Sequence, residues 1–274
     1  MEIRDFFQKT IKKSYVINLR DSIYRYNHIN FEFSKFNISN FLVEKAVSPL
    51  DEEVKNKFKN NEISPYPPCF RCGYDICNHK NNIITPSQVA NFLSFRNIMK
   101  KVSINESGLY TIFEDDFFFK ENINNSISKI NKLIKSNNLI NSDLPVLIRI
   151  GSHTPSSKKE DLLYKYLRYT SVVKNKYNMA NPCFIFNTQF ANLFLENFNK
   201  IEVTSDTFIH KVLCENNNVL NYSVKPFPIG QHSHGKENNL FSSQIVEGSY
   251  SNEKFTRAHS KSEYLKLLND WFES

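Results

Sequence analysis

Residues 108–119 read GLYTIFEDDFFF, and this stretch constrains the chain more than any other. An apolar run from Leu109 to Phe113 breaks into three consecutive carboxylates, Glu114, Asp115 and Asp116, and Phe117 to Phe119 follow at once. A nearly unbroken apolar run suits a buried strand. Three adjacent negative charges between aromatic runs are costly unless something cationic meets them. Hard divalent cations take carboxylate oxygens, so a divalent metal is the natural candidate to meet Glu114, Asp115 and Asp116. The simpler alternative is a strand that ends in a solvated acidic turn.

The rest of the chain supplies a core for such a strand. It has 274 residues, 40% of them hydrophobic, with 24 Phe and 13 Tyr. That is enough for one large domain, taken here as residues 1–274. No run of about 18 apolar residues occurs, so no membrane-spanning helix is expected. The opening MEIRDFFQKTIKKSYVINL lacks the apolar stretch and cleavage site of a signal peptide, and a cytoplasmic location is expected. The net charge is +7, with Lys and Arg spread along the chain. No nucleic-acid-binding signature accompanies that charge, so no nucleic acid partner is expected. A general positive field suits nucleotide diphosphates, and it allows peripheral contact with the acidic inner face of a membrane.

Strands and helices alternate along the sequence. Strands are expected at 14–19, 41–47, 145–150, 182–186 and 219–224, besides the one that enters Glu114. Asp21 is placed to cap a short helix through Tyr24, Ile29 and Phe33. Thr85, Pro86 and Gln88 form a capping box, with Val89, Phe92, Met99 and Val102 on the buried side of the helix that follows. Further helices are expected at 123–134, 188–198, 206–213 and 262–272. Alternation of this kind predicts an α/β fold around a central, mainly parallel sheet. Residues 51–84 read as a Cys- and Pro-rich insertion, and 229–262 mostly as loop.

Two loop segments carry further metal chemistry. Cys69, Cys72, Cys77 and His79 follow the pattern C-x2-C-x4-C-x-H. A reduced compartment disfavours disulfides, and zinc accepts three thiolates and an imidazole tetrahedrally. The segment therefore predicts a structural zinc knuckle; the alternative is ordinary thiols in a loop. His232 and His234 project to the same side of an extended segment and could add ligands for Mn²⁺ or Mg²⁺. A surface loop with chance histidines is the other reading. Cys183 and Cys214 read as buried small hydrophobes; Arg149, Lys158 and Lys225 could meet phosphates or sugars, with surface charge the simpler reading.

Several landmarks fall in the order seen in glycosyltransferase family 25, whose members include lipooligosaccharide galactosyltransferases and relatives of the collagen galactosyltransferases. The chain resembles that family in Val16-Ile17-Asn18-Leu19 followed by Arg20, Asp21, Ser22 and Arg25. It resembles it again in Gln88 to Ser94, in Glu114-Asp115-Asp116, in Asp206, and more loosely in Gln231 after Pro226 and Pro228. Phe95 stands where the family usually has His, and Tyr26 where it has a second Arg.

The resemblance implies a Rossmann-like GT-A sheet and a metal-dependent, inverting transfer of a hexose such as galactose. The donor would be a nucleotide-diphosphate sugar, most simply a UDP-sugar, and the acceptor a glycan or lipid-linked saccharide. It implies that Asp116 binds the metal with Asp115 nearby, and that Glu114 contacts ribose or orients the site. Asn18, Arg20, Arg25 and Gln231 would line the donor. Asp206 would be the base, although Thr204-Ser205-Asp206 also makes a helix start. The alternatives are a non-catalytic binding protein on the same fold and a transferase with a different donor.

Overall fold

The computed structural model describes residues 2–63, 84–151, 170–174, 182–233, 241 and 261–273. A short helix α1 (Ile3–Lys9) leads into β1 (Ile11–Asn18), α2 (Ile23–Ser34), β2 (Phe41–Lys45) and α3 (Glu52–Lys59). The long helix α4 (Pro86–Ser103) precedes β3 (Leu109–Glu114), β4 (Phe117–Phe119) and α5 (Ile123–Ser136). Next come β5 (Val146–Arg149), β6 (Ser171–Lys174), β7 (Cys183–Asn187) and α6 (Thr188–Glu196). A helical segment in three pieces follows: Ser205–Thr207, a π turn at Phe208–Val212, and Leu213–Asn216. β8 (Leu220–Lys225), β9 (Ile229–Gln231) and α7 (Lys261–Phe272) complete the described elements.

Seven strands form one sheet in the order β2-β1-β3-β7-β5-β8-β6. β2, β1, β3, β5 and β8 run one way, β7 and β6 the other. This is the expected mixed α/β fold with a mostly parallel sheet. β4 and β9 pair antiparallel as a separate two-stranded ribbon beside the sheet's end.

Each face of the sheet buries its own apolar cluster. Ile29 and Phe33 of α2 pack with Phe6, Phe7, Phe113, Phe117 and the Ile123-Ile127-Ile130-Ile134 stripe of α5 on one face. Val89, Phe92, Phe95 and Met99 of α4 pack with Phe184, Phe186, Phe190 and Trp271 on the other. Helices on opposite faces follow from the order of β2, β1 and β3. α2 connects β1 to β2, and α4 leads from β2 back across β1 to β3. The chain therefore reverses its winding between β1 and β3. In open α/β sheets ligands bind in the crevice beyond the strand C-termini at such a point.

The Thr85 capping box is present, with Thr85 Oγ1 accepting from the Gln88 amide and the Gln88 side chain accepting from the Thr85 amide. Other details differ from the sequence reading. The residue before α2 is Ser22 rather than Asp21, and it makes no side-chain cap bond. The segment 51–84 opens with α3, whose Val54 and Phe58 enter the main core, so its first part belongs to the domain. Ile229–Gln231 is strand rather than loop, because it pairs with Phe117–Phe119. Cys69, Cys72, Cys77, His79, Lys158 and His234 lie outside the described residues.

Candidate functional site

Asn18 ends β1 and Glu114 ends β3, next to each other in parallel register, since Ile17 pairs with Glu114. The chain then turns through Asp115 and Asp116 and reverses into β4, whose Phe117 pairs with Gln231. Gln231 Nε2 donates to Glu114 Oε2 at 2.8 Å, and the His232 amide donates to the Asp116 carbonyl at 2.9 Å. Gly230 lets the two strands approach, since a Cβ there would meet the Phe118 ring at 2.3 Å. The structure thus brings Asn18, Glu114, Asp115, Asp116 and Gln231 together at the crevice.

Three acceptor oxygens in this group are buried without a hydrogen-bond partner among the described residues: Asn18 Oδ1, Asp116 Oδ1 and Gln231 Oε1. Buried acceptors are ordinarily satisfied, so three around one turn point to a missing donor or cation. Asp115 instead faces α2, where the Arg25 guanidinium donates to its Oδ1. Both side chains of that ion pair are buried.

The carboxyls bear the cost of this crowding. Burial pushes Glu114 well above the usual carboxylate range, and the charges of Asp116, Asp115 and Asp206 push the same way against Arg25. Burial also pushes Asp115 up to about 7, with Arg25 opposing and Asp116 assisting. A positive charge beside these carboxyls would favour their ionised forms. Among the described residues no three His, Cys, Asp or Glu side chains are grouped as metal ligands.

Asp206 lies on the helical segment that begins at Ser205, close enough for its charge to act on Glu114. Its Oδ1 accepts from the Thr204 hydroxyl and, at 2.9 Å, from the Thr207 amide. Ser205 Oγ bonds Asn91 Oδ1 of α4 at 2.6 Å. The same helical segment is tied to the sheet by Arg149. This side chain is buried rather than on the surface, donating from Nε to His210 Nδ1 at 2.9 Å and from Nη1 to Asn221 Oδ1 at 2.7 Å. Lys225 is buried too, its Nζ 5.2 Å from the Phe227 ring. Cys183 is buried as expected, whereas Cys214 is half-buried and meets Arg149 Nη2 at 3.4 Å.

Arg20 is exposed in the turn after β1. The His232 ring packs between Phe118 and His28, with centroids 4.6 and 5.0 Å away. Phe95 fills a core position against Phe184.

The family profile described as glycosyltransferase family 25 (LPS biosynthesis protein) matches residues 11–209, most of the chain and all of the crevice except Gln231. The chain belongs to glycosyltransferase family 25. Family membership supports a transferase role. No curated protein matches the chain in sequence. Among solved structures, that of the inositol-1-phosphate CTP transferase from T. maritima is similar at 9% identity and a TM-score of 0.34. That match covers 94% of this chain and 96% of the other, and at this level of likeness it carries no argument.

Sequence reasoning missed His28, Glu32 and His210. His28 Nε2 bonds the Phe117 carbonyl at 2.7 Å, and Glu32 Oε2 accepts from the Phe119 amide at 3.0 Å. Their spacing from Arg25 along one helix face was the available signal.

Proposed function

We propose that this family 25 member is a metal-dependent, inverting transferase that moves a hexose from a nucleotide-diphosphate sugar to a glycan or lipid-linked saccharide. The observation that carries the reading is the set of buried oxygens of Asn18, Asp116 and Gln231 around the carboxylate turn that have no partner among the described residues. A nucleotide supplies ribose hydroxyls and base N–H groups as donors. Its diphosphate arrives with a cation.

Asp116 would hold Mn²⁺ or Mg²⁺, with His232 and His234 as further candidates. When bound, such an ion neutralises charge building on the departing diphosphate. Asn18 and Gln231 would accept from the nucleotide, and Gln231 would also keep Glu114 turned into the crevice. Asp206, oriented by Thr204 and Thr207, would take the proton from the attacking acceptor hydroxyl. Arg20, exposed at the crevice rim, would meet the donor's phosphates.

The test is a panel of sugar nucleotides assayed for hydrolysis with and without Mn²⁺. Metal-dependent release of a nucleoside diphosphate from one of them is expected. Binding without hydrolysis or transfer for every donor would favour the non-catalytic binding reading.

A further inference from the structure

The residues that α2 turns toward the carboxylate turn and β4 make a regular pattern. Arg25, His28 and Glu32 share one helix face at i, i+3 and i+7. They meet residues 115, 117 and 119 in the same order: the Asp115 side chain in the turn, then the Phe117 carbonyl and the Phe119 amide of β4. Alternate residues of a strand present to one side. From His28 to Glu32 the helix advances about 6 Å, and from Phe117 to Phe119 the strand about 7 Å, so the two rows can run side by side. Glu32 is buried and its second oxygen is held by Lys35. The Phe241 ring lies 5.3 Å from the Arg25 guanidinium carbon and 5.1 Å from the His28 ring, closing the row from a distant part of the chain.

We propose that Arg25, His28 and Glu32 form a positioning clamp that registers residues 115–119, and that Asp115 is the clamp's anchor rather than a metal ligand. Anchoring Asp115 on α2 leaves Glu114 and Asp116 directed into the crevice. Because the hydrogen-bonded atoms in residues 115–119 include a backbone carbonyl and a backbone amide, the clamp fixes the path of the chain, not one rotamer. His28 donates to a carbonyl, so its Nε2 carries a proton. What the carboxylate turn binds rests on the transferase reading; the clamp itself does not.

Hydrogen exchange of residues 115–119 tests the clamp without reference to activity, and Mn²⁺ affinity measured by paramagnetic resonance of the free ion tests its purpose. His28→Phe keeps the ring and removes the donor. It is expected to speed exchange in 115–119 and to weaken Mn²⁺ binding about ten- to a hundredfold, the usual range for a group that orients a ligand. His28→Gln, which restores an N–H donor, should recover most of both. Asp115→Asn should fall in the same range as His28→Phe, whereas Asp116→Asn should lose Mn²⁺ binding altogether. Should His28→Phe fail to fold, Glu32→Gln carries the same expectation through a weakened acceptor for the Phe119 amide. Unchanged exchange in these variants overturns the clamp. Loss of Mn²⁺ binding in Asp115→Asn as complete as in Asp116→Asn overturns the anchor role. If the wild-type chain binds no Mn²⁺, the metal-dependent reading fails while the exchange data still decide the clamp.

Discussion

Asp116 is nearly inaccessible, and its Oδ1 has no partner among the described residues. Replacing it by Asn removes the charge and keeps the shape. Asp116→Asn is therefore expected to fold with an unchanged melting temperature and to lose the Mn²⁺ dependence of nucleoside diphosphate binding, measured by calorimetry. Undiminished Mn²⁺ dependence would remove Asp116 from the metal site. Asp206 has a different signature. If it takes a proton only in the transition state, Asp206→Asn keeps donor affinity and loses turnover by about a hundredfold or more. If its bonds to Thr204 and Thr207 serve only the helix start, the variant loses stability and keeps its rate when folded. Glu114, Asp115 and Asp116 were legible in the sequence because charge interrupting a strand run is conspicuous. Arg149 was not: a basic residue at a strand end looks like surface until His210 and Asn221, far along the chain, are seen to bury it.

The helix α4 was legible to its first residue, since Thr85, Pro86 and Gln88 declare their cap locally. Thr85→Ala should cost about 1 kcal/mol of stability, and Gln88→Ala a smaller amount, both read by chemical denaturation. A null effect at Thr85 would mean that burial of Val89 and Phe92 alone defines the helix start. The strand β9 was not legible. Three residues, Ile229–Gln231, carry no period of their own and become strand only because Phe117–Phe119 offers a free edge. Helix α3 was hidden for a related reason, as it lies within a segment whose cysteines and prolines dominate its composition. For that segment the sequence still makes a definite demand. If Cys69, Cys72, Cys77 and His79 close a tetrahedral site, purified protein carries about one zinc per chain, and Cys69→Ser or Cys72→Ser releases it. Elemental analysis of protein prepared without chelators, together with thiol titration, checks this.

The two apolar clusters make the sheet rigid on both faces and leave its C-terminal edge, between β1 and β3, as the place where polar groups collect. That concentration has a cost in stability that depends on pH. In metal-free protein Asp115 is pushed up to about 7 from an ordinary value of 3.8, and Glu114 is raised as well. In the unfolded chain both carboxyls return to ordinary values. Between about pH 4 and pH 7 the folded state therefore binds more protons than the unfolded state, and stability falls as pH rises through that window. The slope reaches at most roughly 1.4 kcal/mol per pH unit for each proton. Carboxylates paired with lysine, such as Glu62 with Lys57, are lowered in the fold and slope the other way, so the wild-type curve alone does not isolate the crevice. The difference between wild type and Asp115→Asn does. In a chelating buffer, wild type is expected to lose stability relative to Asp115→Asn from pH 4 to pH 7, with no further relative loss from Asp115 well above pH 7. A divalent cation that binds only the folded chain adds about 2.7 kcal/mol at a hundredfold excess over its dissociation constant. Because its charge beside Glu114 and Asp115 favours their ionised forms, the gain should grow with pH across the same window, flattening the wild-type curve. Denaturation midpoints at a series of pH values, with chelator and with Mn²⁺, test both parts. A wild-type curve parallel to that of Asp115→Asn in chelator would show that burial of the carboxylate turn is not what sets its protonation.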